Sequence, residues 1–342
     1  MSAEKQAKMK FLFHRKDGGC FRERDGQNEK RKRKNISSHY ASGSLDQAVF
    51  YFPGSGVRSL YDPGSTGAVS FAVHSSWFFL STCLIASANY VINEWLDRDF
   101  DRFHPVKKHR SVVENSADPK IVYSLYAALT VAGLLLALPV ERYLFWMELW
   151  LWIMGILYNV KPFRTKDIPF VDVLTESVNN AIRLLIGWFV ITNDFFPPVS
   201  LVLGYWFAGA FLMADKRFSE YRMIGDPQVA GLYRKSFRMY TEKSLLLSSF
   251  FYAMCSTLFL GIVLSKYNVN LILLMPFLIG LFCYYFWISY KEDSAAQRPE
   301  KLFHEKGLMI YVLLLIILFL VLLHVRMPFL SVFTSKDLVP VR

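Results

Sequence analysis

The sequence predicts an all-α fold, a polytopic membrane helix bundle with eight clear spans and a degenerate first span, in a nine-helix plan. Three observations predict it. Of 342 residues, 53% are hydrophobic and 16% aromatic, and the mean hydropathy is +0.26. The apolar residues fall in long runs, as at 271–283 and at 311–324 (YVLLLIILFLVLLH). Runs approaching ~20 residues match the thickness of a bilayer's hydrocarbon core. Finally, the connections between runs alternate sharply in basic content.

The spans fall at 71–92, 121–140, 143–160, 172–192, 197–214, 244–265, 269–290 and 307–327. The loop 93–120 carries Arg98, Arg102, Lys107, Lys108, Arg110 and Lys120. The loops 161–171, 215–243 and 291–306 are similarly basic. The opposite connections 141–142, 193–196 and 266–268 have only Arg142 and Lys266 as basic residues. Lys and Arg accumulate on the cytoplasmic side, so the four long loops are expected there. Residues 1–70 then lie outside if 71–92 is the first span, yet they contain the run 30–34 (KRKRK). A broken or re-entrant span at about 45–61, interrupted by Pro53, Gly54 and Gly56, returns that tail to the cytoplasm. The expected plan has the N-terminus inside and the C-terminus outside. Residues 1–44 form a basic, disordered extension, 45–330 the membrane domain and 331–342 a short tail. No cleavable signal is evident.

The net charge of +11 is explained by the basic loops, so no nucleic-acid partner is implied. Cys83, Cys255 and Cys283 lie in apolar runs, and with Cys20 they show no paired spacing. They read as small buried hydrophobes rather than a disulfide framework or a zinc site. The sequence names no protein partner; its evident surroundings are the lipid bilayer.

Polar residues stand out in three places. Asn93, Asp97 and Asp101 recur every four residues where the 71–92 span emerges, so a continuing helix carries them on one face with Glu94 at its border. Carboxylates converging there suit Mg²⁺, typically held by one or two carboxylates plus a substrate's phosphates. A solvated acidic helix end, balanced by Arg98, Arg102, Lys107 and Lys108, explains the same spacing. The span 172–192 carries a polar stripe of Asp172, Glu176, Asn179, Asn180 and Arg183. An ionised residue at the bilayer centre costs ~2.5–3.5 kcal/mol on insertion scales, so the stripe is expected to face a cavity. The simpler alternative is a single polar contact such as Glu176 with Arg183. Third, Lys216, Arg217 and Glu220 share a face at the exit of the 197–214 span, as interfacial anchors or as a phosphate holder. Glu148, in an aromatic-rich span, receives no role.

At these residues the chain resembles the UbiA superfamily of intramembrane prenyltransferases. Asn93, Glu94, Asp97 and Asp101 resemble its N-D-x-x-D-x-x-x-D motif, with Glu94 for the usual aspartate. His104, Pro105, Lys107, Lys108 and Arg110 resemble the H-P-x-K/R…R segment that follows, and 158–187 resembles the next loop and helix. The likeness extends over most of 71–327 and omits 1–60. Where prenyl-transferring members carry a second Asp-rich motif, this chain has Asp215, Lys216, Arg217 and Glu220 instead. That is similar to the decaprenyl-phosphate phosphoribosyltransferase branch, whose members join phosphoribosyl diphosphate to a polyprenyl phosphate and release pyrophosphate.

The resemblance implies a UbiA-like membrane transferase that uses Mg²⁺, a diphosphate donor and a polyprenyl lipid, with its active site facing the cytoplasm of a bacterial inner membrane. It implies Asn93, Glu94, Asp97 and Asp101 as metal-binding catalytic residues. Lys107, Arg110, Tyr158, Lys161, Lys166, Asp172, Glu176, Asn180, Arg183, Lys216, Arg217 and Glu220 are the implied substrate-binding residues. Ordinary prenyl transfer to an aromatic or other small acceptor is the alternative chemistry. A non-catalytic scaffold or transporter is the alternative of another class.

Overall fold

The computed structural model describes residues 68–104, 108, 118–138, 142–190, 195–291, 294–297, 302–325 and 327–333. Contacts divide the chain into units Met1–Leu45 and Asp46–Arg342, and every described residue lies in the second. The degenerate span at 45–61, the 1–44 extension, Lys107 and Arg110 fall outside the described residues, as does most of the 331–342 tail.

Among the described residues, eight long helices match the eight predicted spans. They are α1 Ala68–Asp101, α2 Pro119–Ala137, α3 Arg142–Asn159, α4 Val171–Phe189, α5 Val199–Ile224, α7 Glu242–Tyr267, α8 Met275–Ser289 and α9 Lys306–His324. A short ninth, α6 Pro227–Tyr233, lies in the loop between α5 and α7. No strand occurs among the described residues. Local sequence sets several boundaries. Asp118 caps α2 ahead of Pro119, and Asp226 caps α6 ahead of Pro227. Thr241 and Ser244 form a reciprocal capping box on α7. Gly225 ends α5 at φ 71°, a conformation that a residue with a Cβ rarely adopts.

α1 packs on α2 and α3, α3 on α4, α4 on α5, and α5 on α7, while α8 and α9 pack together beyond. Phe78, Ile85, Leu144, Leu151 and Ile182 join α1, α3 and α4. Val173, Phe211, Tyr252 and Tyr285 join α4, α5, α7 and α8. Gly155 lets α3 approach α1: the Asn89 side chain lies against the missing Cβ and donates to the Leu151 carbonyl at 3.0 Å. Outer faces are apolar, as with Phe250, Met254 and Leu258 on α7 and Leu313, Ile317 and Leu320 on α9.

Among the described residues, four segments are long and apolar enough to cross a membrane by length and composition: α2, α7, α9 and the stretch Val269–Ser289 containing α8. The polar exceptions are instructive. α1 and α5 run past the predicted exits at 92 and 214, and α4 carries the polar stripe. Those extensions and that stripe hold the carboxylates and cations of the site. The chain is an integral, multi-pass membrane protein.

Candidate active site

α1 continues unbroken to Asp101, so Asn93, Asp97 and Asp101 share the predicted face. The loop after α3 folds onto that face through two non-glycine residues at positive φ, Arg164 at 31° and Phe170 at 64°. Such conformations are sparsely populated and require support from their surroundings. Arg164 has it: Nη1 donates to the Asn159 carbonyl at 3.2 Å, and Nη2 reaches Asp97 Oδ1 at 2.9 Å. The Phe170 N–H donates to Tyr240 Oη at 2.5 Å, and that hydroxyl donates to Asp172 Oδ1 at 2.7 Å.

Lys166, in the turn Thr165–Asp167, completes the first cluster. Its Nζ lies 2.6 Å from Asp97 Oδ1 and donates to Asn93 Oδ1 at 3.1 Å and Asn159 Oδ1 at 2.8 Å. Burial pulls the Lys166 ammonium down to about 8; the Asp97 charge opposes that fall and Arg164 adds to it. Burial pushes Asp97 upward, but the charges of Lys166 and Arg164 prevail and hold its carboxyl below the usual range. Asp97 is therefore ionised at neutral pH and accepts from two cations.

The second cluster centres on Arg217, whose side chain is only 1% exposed. It pairs with Glu176, with Glu220 at 3.2 Å and with Asp172 at 3.5 Å, and donates to Tyr158 Oη at 3.1 Å. Tyr158 in turn donates to Glu176 at 2.6 Å. Arg234 donates to Tyr158 at 3.3 Å and Asp172 at 3.4 Å, and Ser236 donates to Asp172 at 3.2 Å. Tyr240→Phe removes one of these bonds to a buried carboxylate, and about 2 kcal/mol of stability is expected to go with it, read as a lowered melting temperature.

These contacts revise the expectation of a cavity-lining stripe. Asp172 and Glu176 are held by Arg217, Arg234 and Tyr158, while Arg183 donates to Asn180 at 3.1 Å. The carboxylates of the stripe are thus met by Arg217 on α5 and Arg234 beyond it, not by the suggested Arg183, while Glu176, Asn179 and Arg183 stay half-buried. Asp215 is buried and accepts from Ser249 on α7, away from that cluster. Lys161 is exposed beside a cis Pro162, Lys216 is half-buried on α5, and Glu94 is half-buried at the edge of the α1 face.

A small, partly open recess lies beside Asp97 and Asp101, and Arg164, Lys166, Arg234 and Lys235 also line it. Asp167 on its wall sits between Arg164 and Lys235, each at 3.2 Å. His104 packs edge-on to Tyr233, 4.6 Å between ring centres, and joins the end of α1 to α6. Sequence reasoning did not assign Arg164, Asn159, Asp167, Arg234, Lys235 or Tyr240 to the site. Arg164 lies in the basic loop 161–171, and Arg234 and Lys235 in the basic loop 215–243.

Among the described residues, no three His, Cys, Asp or Glu side chains converge closely enough to hold a metal unaided. One helical turn separates Asp97 from Asp101, about 6 Å along the axis, and Asn93 is about 12 Å from Asp101. A protein-only cage is thus not preformed. The hard oxygen donors do fit an ion shared between one or two carboxylates and phosphate oxygens.

The fold and site together define a multi-pass helical membrane bundle with paired carboxylates and cations around a polar recess. The chain belongs to the UbiA prenyltransferase family, whose model matches residues 64–307. It is 27% identical over 197 residues to a decaprenyl-phosphate phosphoribosyltransferase of Mycolicibacterium smegmatis, covering 56% of each chain. It is 25% identical over 169 residues to a protoheme IX farnesyltransferase of Yersinia enterocolitica, covering 48% of this chain and 56% of that one. The chain thus spans little more than half the length of these curated relatives. A UbiA homologue of Archaeoglobus fulgidus, solved with DMAPP and Mg²⁺, superposes with a TM-score of 0.60 at 18% identity, covering 83% of this chain and 95% of that one. That likeness is one of fold.

Proposed function

We propose that the chain is a membrane transferase that takes a Mg²⁺-bound diphosphate donor at Asp97 and Asp101, and that it moves phosphoribose from phosphoribosyl diphosphate to a polyprenyl phosphate. The observation that carries this reading is the recess itself, with the acidic α1 residues on one wall and Arg164 and Lys166 held against Asp97. The matched decaprenyl-phosphate phosphoribosyltransferase supports the choice of donor. So does the second cluster. Asp172, Glu176 and Glu220 are taken up by Arg217, which leaves α1 as the available metal-binding carboxylate set. The cytoplasmic side of a bacterial inner membrane is part of the same proposal, as are the lipid and diphosphate partners.

Breaking the bond from C1 to the diphosphate builds negative charge on the leaving oxygen and positive charge on the sugar carbon. Mg²⁺ held by Asp97, Asp101 and the donor's phosphates would take up the leaving group's charge. With Asp97 turned to that task, Lys166 and Arg164 have their N–H groups to offer the diphosphate. Asn93 and Asn159 keep the Lys166 ammonium in place. The acceptor phosphate is already a nucleophile, so no side chain is required as a base. The isoprenoid tail leaves sideways between helices into the bilayer.

Purified protein given polyprenyl phosphate and ribose-labelled phosphoribosyl diphosphate is expected to move label into the organic phase with Mg²⁺ and not with EDTA. No transfer by folded protein sinks the phosphoribosyl reading. A pH series adds a second check. Lys166 loses its proton, and with it a charge needed by the diphosphate, as pH rises through about 8. The rate should fall there, and Lys166→Arg should carry the alkaline limb upward by a unit or more, because an arginine stays protonated. An unchanged limb in that variant removes Lys166 from the diphosphate.

Prenyl transfer from a polyprenyl diphosphate remains the second reading, supported by the family and by the matched protoheme farnesyltransferase. It would use the same Asp97 and Asp101 set.

A further inference from the structure

We propose that Arg234 and Lys235 form a second anion subsite in the recess, one that takes a phosphate monoester, apart from the diphosphate subsite at Asp97 and Asp101. The transferase reading bears on whose phosphate this is; the subsite itself stands on the geometry.

The recess lining holds four cations, Arg164, Lys166, Arg234 and Lys235, against three carboxylates, Asp97, Asp101 and Asp167. Arg164 and Lys166 are committed to Asp97, and Arg164 and Lys235 to Asp167. Arg234 differs. Its ion pair is with Asp172, which does not line the recess. Asp172 divides its charge among Arg217, Ser236 and Tyr240 as well. Arg234 thus stands on the recess wall with its ion-pair partner behind it, and it lies near enough to Asp97 to lower that carboxyl further.

Donor capacity agrees. Among the described residues, the hydrogen bonds of Arg234 run through Nη1 alone, at 3.3 and 3.4 Å. Charge-assisted bonds of this kind close to about 2.7–2.9 Å when optimal, and a guanidinium carries five N–H donors in a fork matched to phosphate. Next to it, Lys235 is 39% exposed and reaches Asp167 at 3.2 Å. The connector carrying both is anchored behind by Ser236 and Tyr240 on Asp172, so the pair is held in position before any ligand arrives. A dianionic phosphate bridging Arg234 and Lys235 meets two adjacent cations on a fixed backbone.

Two sources share that chemistry: the 5-phosphate of a sugar donor, and the headgroup of a polyprenyl phosphate. Direct binding separates them. Titration calorimetry on the full chain in detergent with Mg²⁺ would use pyrophosphate, ribose 5-phosphate and farnesyl phosphate as probes. The proteins compared would be the unaltered chain, Lys235→Ala and Arg234→Lys. Lys235 is the safer position, being partly exposed; Arg234→Lys keeps the charge and removes the fork. The expected result is a loss of about tenfold or more in affinity for one monoester in both variants, with pyrophosphate within about twofold. A loss confined to ribose 5-phosphate assigns the subsite to the donor, and one confined to farnesyl phosphate assigns it to the acceptor. Equal losses for pyrophosphate, unchanged monoester affinities, or no monoester binding by the unaltered chain overturn the proposal. Binding is read without turnover, so a failed transfer assay would end the phosphoribosyl reading and leave this result standing on its own.

Discussion

Replacing Asp97 with Asn is expected to lower Mg²⁺-dependent transfer by at least about 10²–10³-fold, the usual scale for removing a preorganised charge that acts on a leaving group. The bundle should survive the change. An asparagine keeps an oxygen that Lys166 and Arg164 can donate to, in place of the one they reach at 2.6 and 2.9 Å. What is lost is the negative charge that binds a hard cation and balances two buried bases. Circular dichroism and the melting temperature give the folding control. Unchanged turnover in a folded Asp97→Asn protein would falsify the assignment of α1 as the metal-binding wall and would favour a scaffold or transporter.

Arg217→Met should act differently, and mostly on stability. The guanidinium is buried among Glu176, Glu220 and Asp172, and removing it leaves three carboxylates facing one another with Arg234 as their remaining strong partner. Breaking a buried ion pair by deleting one partner costs about 3–5 kcal/mol, because the abandoned charge stays desolvated. The expected result is a much lower melting temperature, with partial recovery in the Arg217→Met, Glu176→Gln double variant. A melting temperature within a degree or two of the unaltered protein, with activity lost, would make Arg217 a substrate ligand instead of the clamp between α4 and α5.

The two predictions separate the parts of the site that periodicity reveals from those it does not. The α1 face was legible because Asn93, Asp97 and Asp101 repeat at four residues, and helix geometry then fixes their alignment. The eight long helices were legible for an equally local reason, since long apolar runs have few other uses. Arg164 was not legible as an Asp97 partner. The two lie 67 residues apart, and contact depends on an αL residue folding the loop onto α1. Arg234 and Asp172 are likewise 62 residues apart, joined through a connector with no regular pattern. The polar stripe on α4 needs compensation at bilayer depth. Its compensation came from Arg217 on the neighbouring helix, whereas a same-helix partner, Arg183, was the one that spacing suggested. Spacing within one helix says which residues share a face; it does not say which other element arrives to meet them.

One measurement tests the central claim most directly. The protein, in detergent or bilayers with Mg²⁺ and polyprenyl phosphate, would receive two donors together: ribose-labelled phosphoribosyl diphosphate, and a polyprenyl diphosphate labelled in its isoprenoid and offered with an aromatic acceptor. The account predicts that ribose label enters the lipid fraction with stoichiometric release of pyrophosphate, and that the prenyl label stays on its diphosphate. Prenyl label appearing on the aromatic acceptor while the ribose label stays in the aqueous phase would contradict it, and would place this chain with the prenyl-transferring members of its family.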